Sequence, residues 1–459
     1  MIRVHTWVVA ISCTFACARV SKERGHDDVS RVVRERTGFE TAWDRGSPED
    51  RAVAARVDML LEGGLNKVRA IEIALVNNPS LQSTYEQLGV SRADMVQAGL
   101  LSNPVVSGDI GWSTDTRFFE YQASIVQNFL EIFVLRMRKR IAKEQFMADT
   151  LRVAHEVLQV VADVSKAFVD LQAHVQTVEL MRTVLQAARA AAHLSMRQHE
   201  AGNITDLAVA TERAAYEQAK FDLAREQLEV TKAREQLNRL LGLWGKTTNW
   251  KLSSPLPELP VRDPPLNELE ANAIRHRLDI DAARKQALLL DNAVTLARRS
   301  RAFGFVNVGV HVHQDPDGAR IFGPTLALEL PIFDRRQALI ARLEAQHRQA
   351  ERRLTSLSVN ARSEVRVART ELLSARQVVD HYMKVLLPLR AAVVEHAQHQ
   401  YNGMQIGLHE LLTAKQAQVQ AFEDYIQAVH DYWIAWAELE RAMGGRVLPK
   451  RGPGKHHHR

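Results

Sequence analysis

The sequence predicts a mainly α-helical protein that also contributes strands to a membrane β-barrel, with one structural unit present twice. Each unit is expected to contain a helix, a pair of strands, a very long helix, a turn and a second long helix. Three observations support this fold class. Gly202 and Gly403 each lie between two long helical runs, about 200 residues apart. Two stretches alternate between apolar and polar residues, and a helical run of about 70 residues follows each of them.

The N-terminus has the pattern of an export signal. A short positive region around Arg3 precedes a mostly apolar stretch that is too short to span a bilayer as a helix. Thr14-Phe15-Ala16-Cys17 resembles a bacterial lipobox, in which the cysteine is lipidated. We therefore predict a signal peptide over 1–17 and a lipid anchor, palmitate included, on Cys17; a plain cleaved signal is the alternative. The only other cysteine is Cys13, and so few thiols suit an oxidising compartment outside the cytoplasm.

Composition and motifs exclude several classes of protein. The net charge is +6, but Lys and Arg are scattered along the helical runs and interleaved with Glu. Nucleic-acid binding needs the charge on one face, so we predict no nucleic-acid partner. No stretch reaches the roughly 18 to 20 consecutive apolar residues of a membrane helix. The sequence lacks a phosphate-binding loop, a nucleophile elbow, an HExxH motif and a CxxC motif, so we predict no enzyme, no cofactor and no metal site.

The first repeat is predicted over 66–245, after an N-terminal arm and a short helix over 18–65. Residues 18 to about 50 are charged and aperiodic, which is typical of an extended or disordered tether. Helical periodicity follows over about 50–63 and again over 66–101.

A strand pair is predicted at about 104–128, because the hydrophobic period changes there from the helical value to two. Apolar residues such as Val106 and Ile110 alternate with polar residues such as Ser107 and Asp109. This alternation indicates strands with one apolar face and one polar face.

The second repeat, predicted over 266–444, contains a clearer strand pair at about 305–330. Valines at every second position from Val306 to Val312 are separated by polar residues or glycine. The turn sequence Asp315-Pro316-Asp317-Gly318 divides this stretch from a second alternating stretch, as expected for a hairpin.

The helical runs after the strand pairs cover 130–200 and 331–401. At 1.5 Å per residue each would be roughly 100 Å long. A globular core does not need that length, whereas a coiled-coil tube or a long bundle does. Helices over 205–242 and 408–444 are expected to run back from the two glycine turns.

The remaining segments are a linker and a tail. Five prolines fall within 246–265, which predicts a linker between the repeats. Residues 445–459 end in a charged, His-rich stretch and are predicted to be a disordered tail.

Four strands cannot bury both faces of a sheet, and helices at one end of the strands do not cover them. Inside a bilayer every backbone polar group must be paired, so a sheet there closes on itself. Outer-membrane strands are about 9–11 residues long, apolar outside and polar inside. Three chains would supply twelve strands around a water-filled lumen, with a polar lining of Asp109, Glu120, Gln122, His311, His313 and Glu329. The alternatives are a soluble α+β protein and a secreted or periplasmic coiled-coil structural protein.

With these features the chain resembles the TolC-like outer-membrane efflux channels over about 66–444. Each matching stretch is short, but their order and the spacing of about 200 residues make the set specific. The stretches are ALVNNPSL at 74–81, AGLLSNP at 98–104, GNITDL at 202–207, LPIFD at 330–334 and YNGMQIGL at 401–408.

The resemblance implies a homotrimer without a catalytic site, with a twelve-stranded barrel in the lipid of a Gram-negative outer membrane and an α-helical tunnel in the periplasm. It implies the exit duct of a tripartite efflux pump, or alternatively of a type I secretion system. A periplasmic adaptor protein would dock on the helical tips, and an inner-membrane transporter would supply the energy. The stretch 401–412 and Asp431-Tyr432-Trp433 resemble channels of heavy-metal efflux, so heavy-metal cations or small toxic compounds are the expected substrates.

The same resemblance places the adaptor-docking tips at the two glycine turns. Glycine at both positions would supply the left-handed backbone that a tight turn between helices requires. Glu200 stands where the second tip has Tyr401, so the two docking sites should differ. The predicted tip residues are Gly202, Asn203, Thr205, Leu207, Gly403, Met404, Gly407 and Leu408.

Asp206 and Glu410 follow the two turns and are candidate gate or selectivity residues. Three copies of a carboxylate around a narrow axis would set ion selectivity, as charged rings do in channels. The alternative is a capping role, because carboxylates are favoured at helix N-termini by the helix dipole.

Overall fold

The computed structural model describes residues 24–44, 48–112, 119–263, 266–302, 304–315 and 317–446. The predicted signal peptide, Cys17 and residues 447–459 of the predicted tail lie outside the described residues. The chain divides into two compact units. One contains Gly89–Phe146 and Leu289–Glu344, and the other contains His26–Leu88, Met147–Leu288 and the chain from Ala345 onward.

The helices follow the predicted order in both halves of the chain. The first half contains α1 (Arg24–Thr37), α2 (Pro48–Glu62), α3 (Lys67–Asn77), α4 (Pro79–Gln97), α5 (Leu130–Glu200) and α6 (Asp206–Leu241). The second half contains α7 (Leu269–His276), α8 (Leu278–Arg299), α9 (Gln337–His381), α10 (Leu387–Asn402) and α11 (Leu408–Met443). In the part of the chain that the structure describes, none of these helices combines the length and apolar character needed to cross a membrane.

The strands form one antiparallel sheet in the order β1-β2-β3-β4. Their bounds fall within the two predicted ranges: β1 (Val105–Trp112), β2 (Phe119–Asn128), β3 (Val306–Gln314) and β4 (Arg320–Leu328). β1 and β4 are the edges, so each carries one row of backbone groups without a strand partner among the described residues.

The helical unit has two hydrophobic clusters, each made mainly of residues from one half of the chain. In the first half, buried residues of α5 such as Phe168 and Leu171 share a cluster with Leu237 and Leu241 of α6. In the second half, Leu372 of α9 shares a cluster with residues of α11, including Val429, Tyr432 and Leu439. Two clusters, each drawn mainly from one half, are what a duplicated unit would produce.

The predicted helix over 66–101 is broken at Asn78, and the second half has the same break at Arg277. Both residues leave the helical region, with ψ of 117° at Asn78 and 127° at Arg277. Pro79 explains the first break, because a residue before proline avoids the helical conformation. Both side chains then donate to a carbonyl near the end of a return helix: Asn78 to Leu240 (2.7 Å) and Arg277 to Ala442 (3.4 Å).

The second long helix begins later than predicted. Residues 331–336 are not helical, and α9 starts at Gln337. Arg336 has a φ of +59°, and its N–H donates to the Asp334 carboxylate at 2.7 Å, so an aspartate turn delays the helix. A π-helical turn, Tyr382–Leu386, then separates α9 from α10 just before Pro388, which has no N–H to continue the ladder.

The prediction of an extended or disordered tether over 18–50 is wrong for residues 24–37, which form α1. Val29 and Val33, four residues apart on this helix, are fully buried in the core of the first half. The Arg36 guanidinium donates to the Gly444 carbonyl at 2.8 Å, and the Arg446 N–H donates to the Arg36 carbonyl at 3.2 Å. Gly445 and Arg446 are therefore ordered too, contrary to the predicted tail.

The predicted linker packs against the helices where the structure describes it. The Trp250 side chain is buried, and its Nε1 donates to Asn238 at 2.8 Å. Gln172 of α5 donates to the Pro255 carbonyl at 2.6 Å. Prolines 264 and 265 lie outside the described residues.

Candidate functional site

Five of the six predicted lumen residues share one face of the sheet. Paired residues in an antiparallel sheet point to the same side. Asp109 is paired with Gln122, which is paired with His313. By the alternation along β2 and β3, Glu120 and His311 lie on this face as well. The register therefore brings together charged and imidazole side chains that lie about 190 to 200 residues apart in sequence.

His313 lies between two carboxylates on this polar face. Its Nε2 is 2.7 Å from Asp315 and 3.6 Å from Glu120. The neighbouring His311 bonds through Nδ1 to the Thr325 hydroxyl at 3.0 Å. These contacts fix both imidazoles in place, and two carboxylates lie beside His313.

The sixth predicted lumen residue, Glu329, lies just beyond β4. Its N–H donates to the Phe305 carbonyl at 3.1 Å, and its carboxylate fills the space beside Gly304, where a β-carbon would clash with it. The sequence placed Glu329 on the polar strand face, whereas it belongs to the junction between the sheet and the helices.

The opposite face of the sheet is apolar and open to solvent in the single chain. Trp112 is 82% exposed and Leu326 is 71% exposed. Other exposed members of this face are Val106, Ile110, Ile125, Val308, Val310, Phe322 and Leu328. A continuous exposed apolar surface of this kind marks contact with a partner or a membrane.

A metal-binding group is not found among the described residues, since no three His, Cys, Asp or Glu side chains are grouped to hold an ion. The histidines of the polar face are bonded to Thr325 and Asp315 instead.

The first turn between long helices uses glycine as predicted. Gly202 has a φ of +78° and follows the end of α5. The Asn203 N–H reaches back to the Gln198 carbonyl at 2.8 Å, which closes the end of the helix. Thr205 then caps α6, accepting from the Ala208 N–H at 3.3 Å.

The second turn places the left-handed residue one position later than the sequence indicates. Gly403 has a φ of −82°, whereas Met404 has a φ of +56°. The Gln405 N–H donates to the Gln400 carbonyl at 2.9 Å, the counterpart of the bond in the first turn. The prediction that Gly403 supplies the left-handed backbone is therefore wrong. The helix α10 ends one residue before Gly403, whereas α5 ends two residues before Gly202.

The sequence did not predict a left-handed Met404. Gly202 and Gly403 are 201 residues apart and align as equivalent residues in the sequence, whereas the structural repeat at the turns is one residue longer. The signal was present in Gly242 and Gly444, which end α6 and α11 with left-handed backbones and are 202 residues apart. Aligning these two glycines pairs Gly202 with Met404.

Most of the predicted tip residues are exposed. Met404 is 94% exposed, and Leu207 also presents a large apolar side chain to solvent. Asn203 and Gly407 are exposed as well, whereas Leu408 is half-buried. The turns therefore offer apolar and polar groups to a partner.

Asp206 and Glu410 both lie in the first turn of a helix. Asp206 is the first residue of α6; its carboxylate lies 3.2 Å from His199, and its side chain is 98% exposed. Glu410 is the third residue of α11, and its carboxylate folds back toward Gly407, the residue before the helix. Glu410 therefore lies where a capping carboxylate would, whereas the Asp206 carboxylate is exposed and lies beside His199.

Comparison with solved structures relates this fold to bacterial outer-membrane proteins. A membrane protein from Pseudomonas aeruginosa is similar with a TM-score of 0.73 at 21% identity, over 82% of this chain and 92% of that one. The Campylobacter jejuni CmeC outer membrane channel gives a TM-score of 0.73 at 16% identity, over 83% and 86%. CusC gives a TM-score of 0.70 at 18% identity, over 83% and 92%. The predicted fold class is confirmed by these similarities.

The sequence itself points to the same group, although no curated protein sequence matches it. A family model described as outer membrane efflux protein matches residues 70–243 and 257–445. These segments take in most of the 459 residues and correspond to the two structural repeats. The chain therefore belongs to the outer membrane efflux protein family, whose members are passive channels and not enzymes.

Proposed function

We propose that this protein is a passive outer-membrane channel and the exit duct of a tripartite efflux system. Three copies would each supply four strands to a twelve-stranded barrel, with the long helices in the periplasm. The observation that carries the proposal is the four-stranded sheet with two open edges and an exposed apolar face.

The open edges support closure between copies. A sheet in hydrocarbon must pair all its backbone groups, so β1 of one copy would pair with β4 of the next. A head-to-tail contact of this kind closes into a ring when the rotation fits. Channels of this family are trimers that work with adaptor proteins, which supports three copies here.

The helical turns support adaptor docking. Met404 and Leu207 are exposed apolar side chains on turns closed by backbone hydrogen bonds, so a partner would meet a preformed surface. The partner is a periplasmic adaptor protein, which connects the duct to an energy-supplying transporter of the inner membrane. The two turns differ chemically, with Glu200 before one and Tyr401 before the other, so the two docking sites differ.

The polar face of the sheet supports cations as cargo. Asp109, Glu120 and the Asp315–His313 pair place negative charge on the surface that would line the lumen. We infer that heavy-metal cations or small toxic compounds pass through without being held, since the described residues offer no three-ligand site. The lipid on Cys17 would tether the mature N-terminus to the same membrane.

Reconstitution in planar bilayers tests the channel. We expect a trimer that migrates faster in gels before heating than after it, and stepwise conductance with cation preference. A soluble, non-conducting oligomer would instead favour the periplasmic coiled-coil protein.

The pump assignment is tested in cells lacking the gene. We expect higher sensitivity to copper, silver, zinc or cobalt salts, restored by the intact gene. Unchanged metal tolerance together with loss of a secreted protein would favour the type I secretion duct. Labelled palmitate incorporated into the wild type but not into Cys17→Ser tests the lipid anchor.

A further inference from the structure

Exposed apolar residues are followed by exposed cationic residues along the start of α5, directly after β2. Phe129, Ile132 and Phe133 are exposed, and the rings of the two phenylalanines lie 6.3 Å apart, edge to face. Residues three or four apart share one face of a helix. By that spacing the exposed face continues with Arg136, Lys139, Arg140 and Lys143.

The second repeat shows the same order of chemistry at its own junction. Leu330, Ile332 and Phe333 are exposed after β4, and Phe333 reaches 91% exposure. Arg335 follows them and is exposed. On the other side of the hairpin, an exposed basic group precedes β3, consisting of Arg298, Arg299 and Arg301.

Nearby carboxylates are already engaged. Glu131 accepts from the Ser102 N–H at 2.9 Å, and Glu344 pairs with Arg298 at 2.6 Å. Asp334 accepts from the Arg336 N–H at 2.7 Å. Six of the other exposed cations form what we call the basic collar, and none of these six has an ion pair within the described part of the chain. They are Arg136, Lys139, Arg140, Arg299, Arg301 and Arg335.

We propose that the basic collar binds the headgroups of anionic phospholipids in the leaflet nearest the long helices. The proposal rests on the proposed function, because headgroups lie at this level only if the strands span a bilayer. Arg136 and Arg140 lie three and seven residues beyond Phe133, or about 5–10 Å along α5. The headgroup layer of a bilayer is about 5–8 Å thick on each side, so cations just outside an aromatic girdle meet the lipid phosphates.

The chemistry of the collar suits a phosphodiester anion. Guanidinium groups donate two parallel hydrogen bonds to phosphate oxygens, and an ammonium adds a point charge. Each Lys or Arg held near an anionic membrane surface strengthens binding by about fivefold. Because both repeats carry the collar, the three copies of a trimer would surround the barrel with it.

The test uses the full-length trimer in nanodiscs that contain equal amounts of phosphatidylglycerol and phosphatidylethanolamine. Native mass spectrometry after partial delipidation measures which lipid is retained. The collar variant is R136Q/K139Q/R140Q. The matched control is R213Q/K220Q/R225Q, which removes the same charge from exposed positions of α6.

We expect the wild type and the control to retain phosphatidylglycerol preferentially, and the collar variant to lose at least about fivefold of that preference. The charge-preserving R136K/R140K variant should keep it. Equal retention by the wild type and the collar variant, or a loss in the control or the lysine variant, overturns the collar. Conductance in pure phosphatidylethanolamine distinguishes failure of the collar from failure of the proposed channel. A trimer that conducts but shows no lipid preference overturns the collar alone. A protein that does not insert into the bilayer overturns the proposed function as well.

Discussion

Gly202 and Met404 hold the same backbone position in two turns, although only one of them is a glycine. Each is the left-handed residue that follows a long helix, with φ of +78° and +56°. In both turns the next residue donates its N–H to the carbonyl five positions earlier. The duplicated unit therefore conserved the geometry of its turn while the residue that adopts it changed.

This relationship predicts opposite effects of glycine at the two turns. A side chain in the left-handed region costs about 1–2 kcal/mol, so Met404→Gly should stabilise the second turn by about 1 kcal/mol. Gly202→Ala should destabilise the first turn by a similar amount. Amide hydrogen exchange of residues 198–206 and 400–408 in the trimer measures both effects.

Gly403→Ala is the control for these variants. A β-carbon at this position would lie 3.5 Å from the His399 carbonyl, an ordinary contact. The change in stability caused by Gly403→Ala should stay within about 0.5 kcal/mol. Slower efflux in Met404→Gly at unchanged trimer abundance would additionally indicate that the Met404 side chain contacts the adaptor.

The register of the sheet predicts that neighbouring positions of β4 differ sharply in tolerance to charge. Leu326 is paired with Val308 on the apolar face, whereas Ala327 is paired with Asn307 on the polar face. Leu326→Arg should cost up to about 2–4 kcal/mol in the membrane, and Ala327→Arg should be mild. Urea-dependent folding into liposomes measures the difference, and equal costs at the two positions would contradict a lipid-facing Leu326.

The strands and long helices could be predicted from sequence because their signals are local. Alternation of valines fixed the faces of β3, and the uninterrupted pattern from Leu130 to Glu200 gave α5 its bounds. Pairing across the sheet could not be read in this way. That Gln122 would meet both Asp109 and His313 depends on a register that only the folded chain defines.

Helix α1 was not predicted because it too depends on contacts between residues far apart in sequence. Its apolar stripe consists of a few valines among charged residues, which is too little local signal to outweigh a disordered assignment. Its stability comes from distant partners, such as the Gly444 carbonyl bonded to Arg36, 408 positions away. Likewise, a left-handed Met404 contradicts residue preference, so no propensity rule would choose it.

Arg277 is predicted to be a major determinant of stability in the second repeat. It is buried and bonded to Asp279 at 2.7 Å and to Glu364. Arg277→Ala would leave a largely buried carboxylate without its cation, which typically costs about 3–5 kcal/mol. Chemical denaturation of the trimer measures the loss. Arg366→Ala, which removes an exposed pair with Glu270, is the control and should cost less than about 1 kcal/mol.

Asp279 should make this stability sensitive to acid. Burial raises the pKa of its carboxyl, but the hydrogen bond and charge of Arg277 outweigh burial and hold the pKa below the ordinary 3.8. The ionised Asp279 carboxylate therefore contributes fully to the free energy of unfolding above pH 3.8, and this contribution is lost as the pH falls through the lowered pKa. Denaturation between neutral and acidic pH should show a steeper loss in the wild type than in Asp279→Asn, and parallel curves would contradict this role.

His430 should have the opposite pH dependence. Burial lowers the pKa of its imidazole, but hydrogen bonds to Asp170 (2.5 Å) and Asp431 (2.9 Å) raise it overall above the ordinary 6.5. The protonated imidazole contributes fully to the free energy of unfolding below pH 6.5, and this contribution is lost as the pH rises through the raised pKa. His430→Gln should lower stability by about 1–3 kcal/mol at mildly acidic pH and remove this dependence. The exposed His396, replaced by Gln, should change neither.

The last prediction separates gating from capping at the two turns. Asp206 is almost fully exposed, so a ring of three such carboxylates would favour cations. Glu410 folds back toward Gly407 and should act as a cap worth about 0.3–1 kcal/mol. We therefore expect Asp206→Asn to lower cation preference and to change closed-state leakage in planar bilayers, whereas Glu410→Gln should leave conductance unchanged and speed hydrogen exchange at the start of α11. If the double variant conducts like the wild type, both carboxylates serve as caps and the gate lies at other residues.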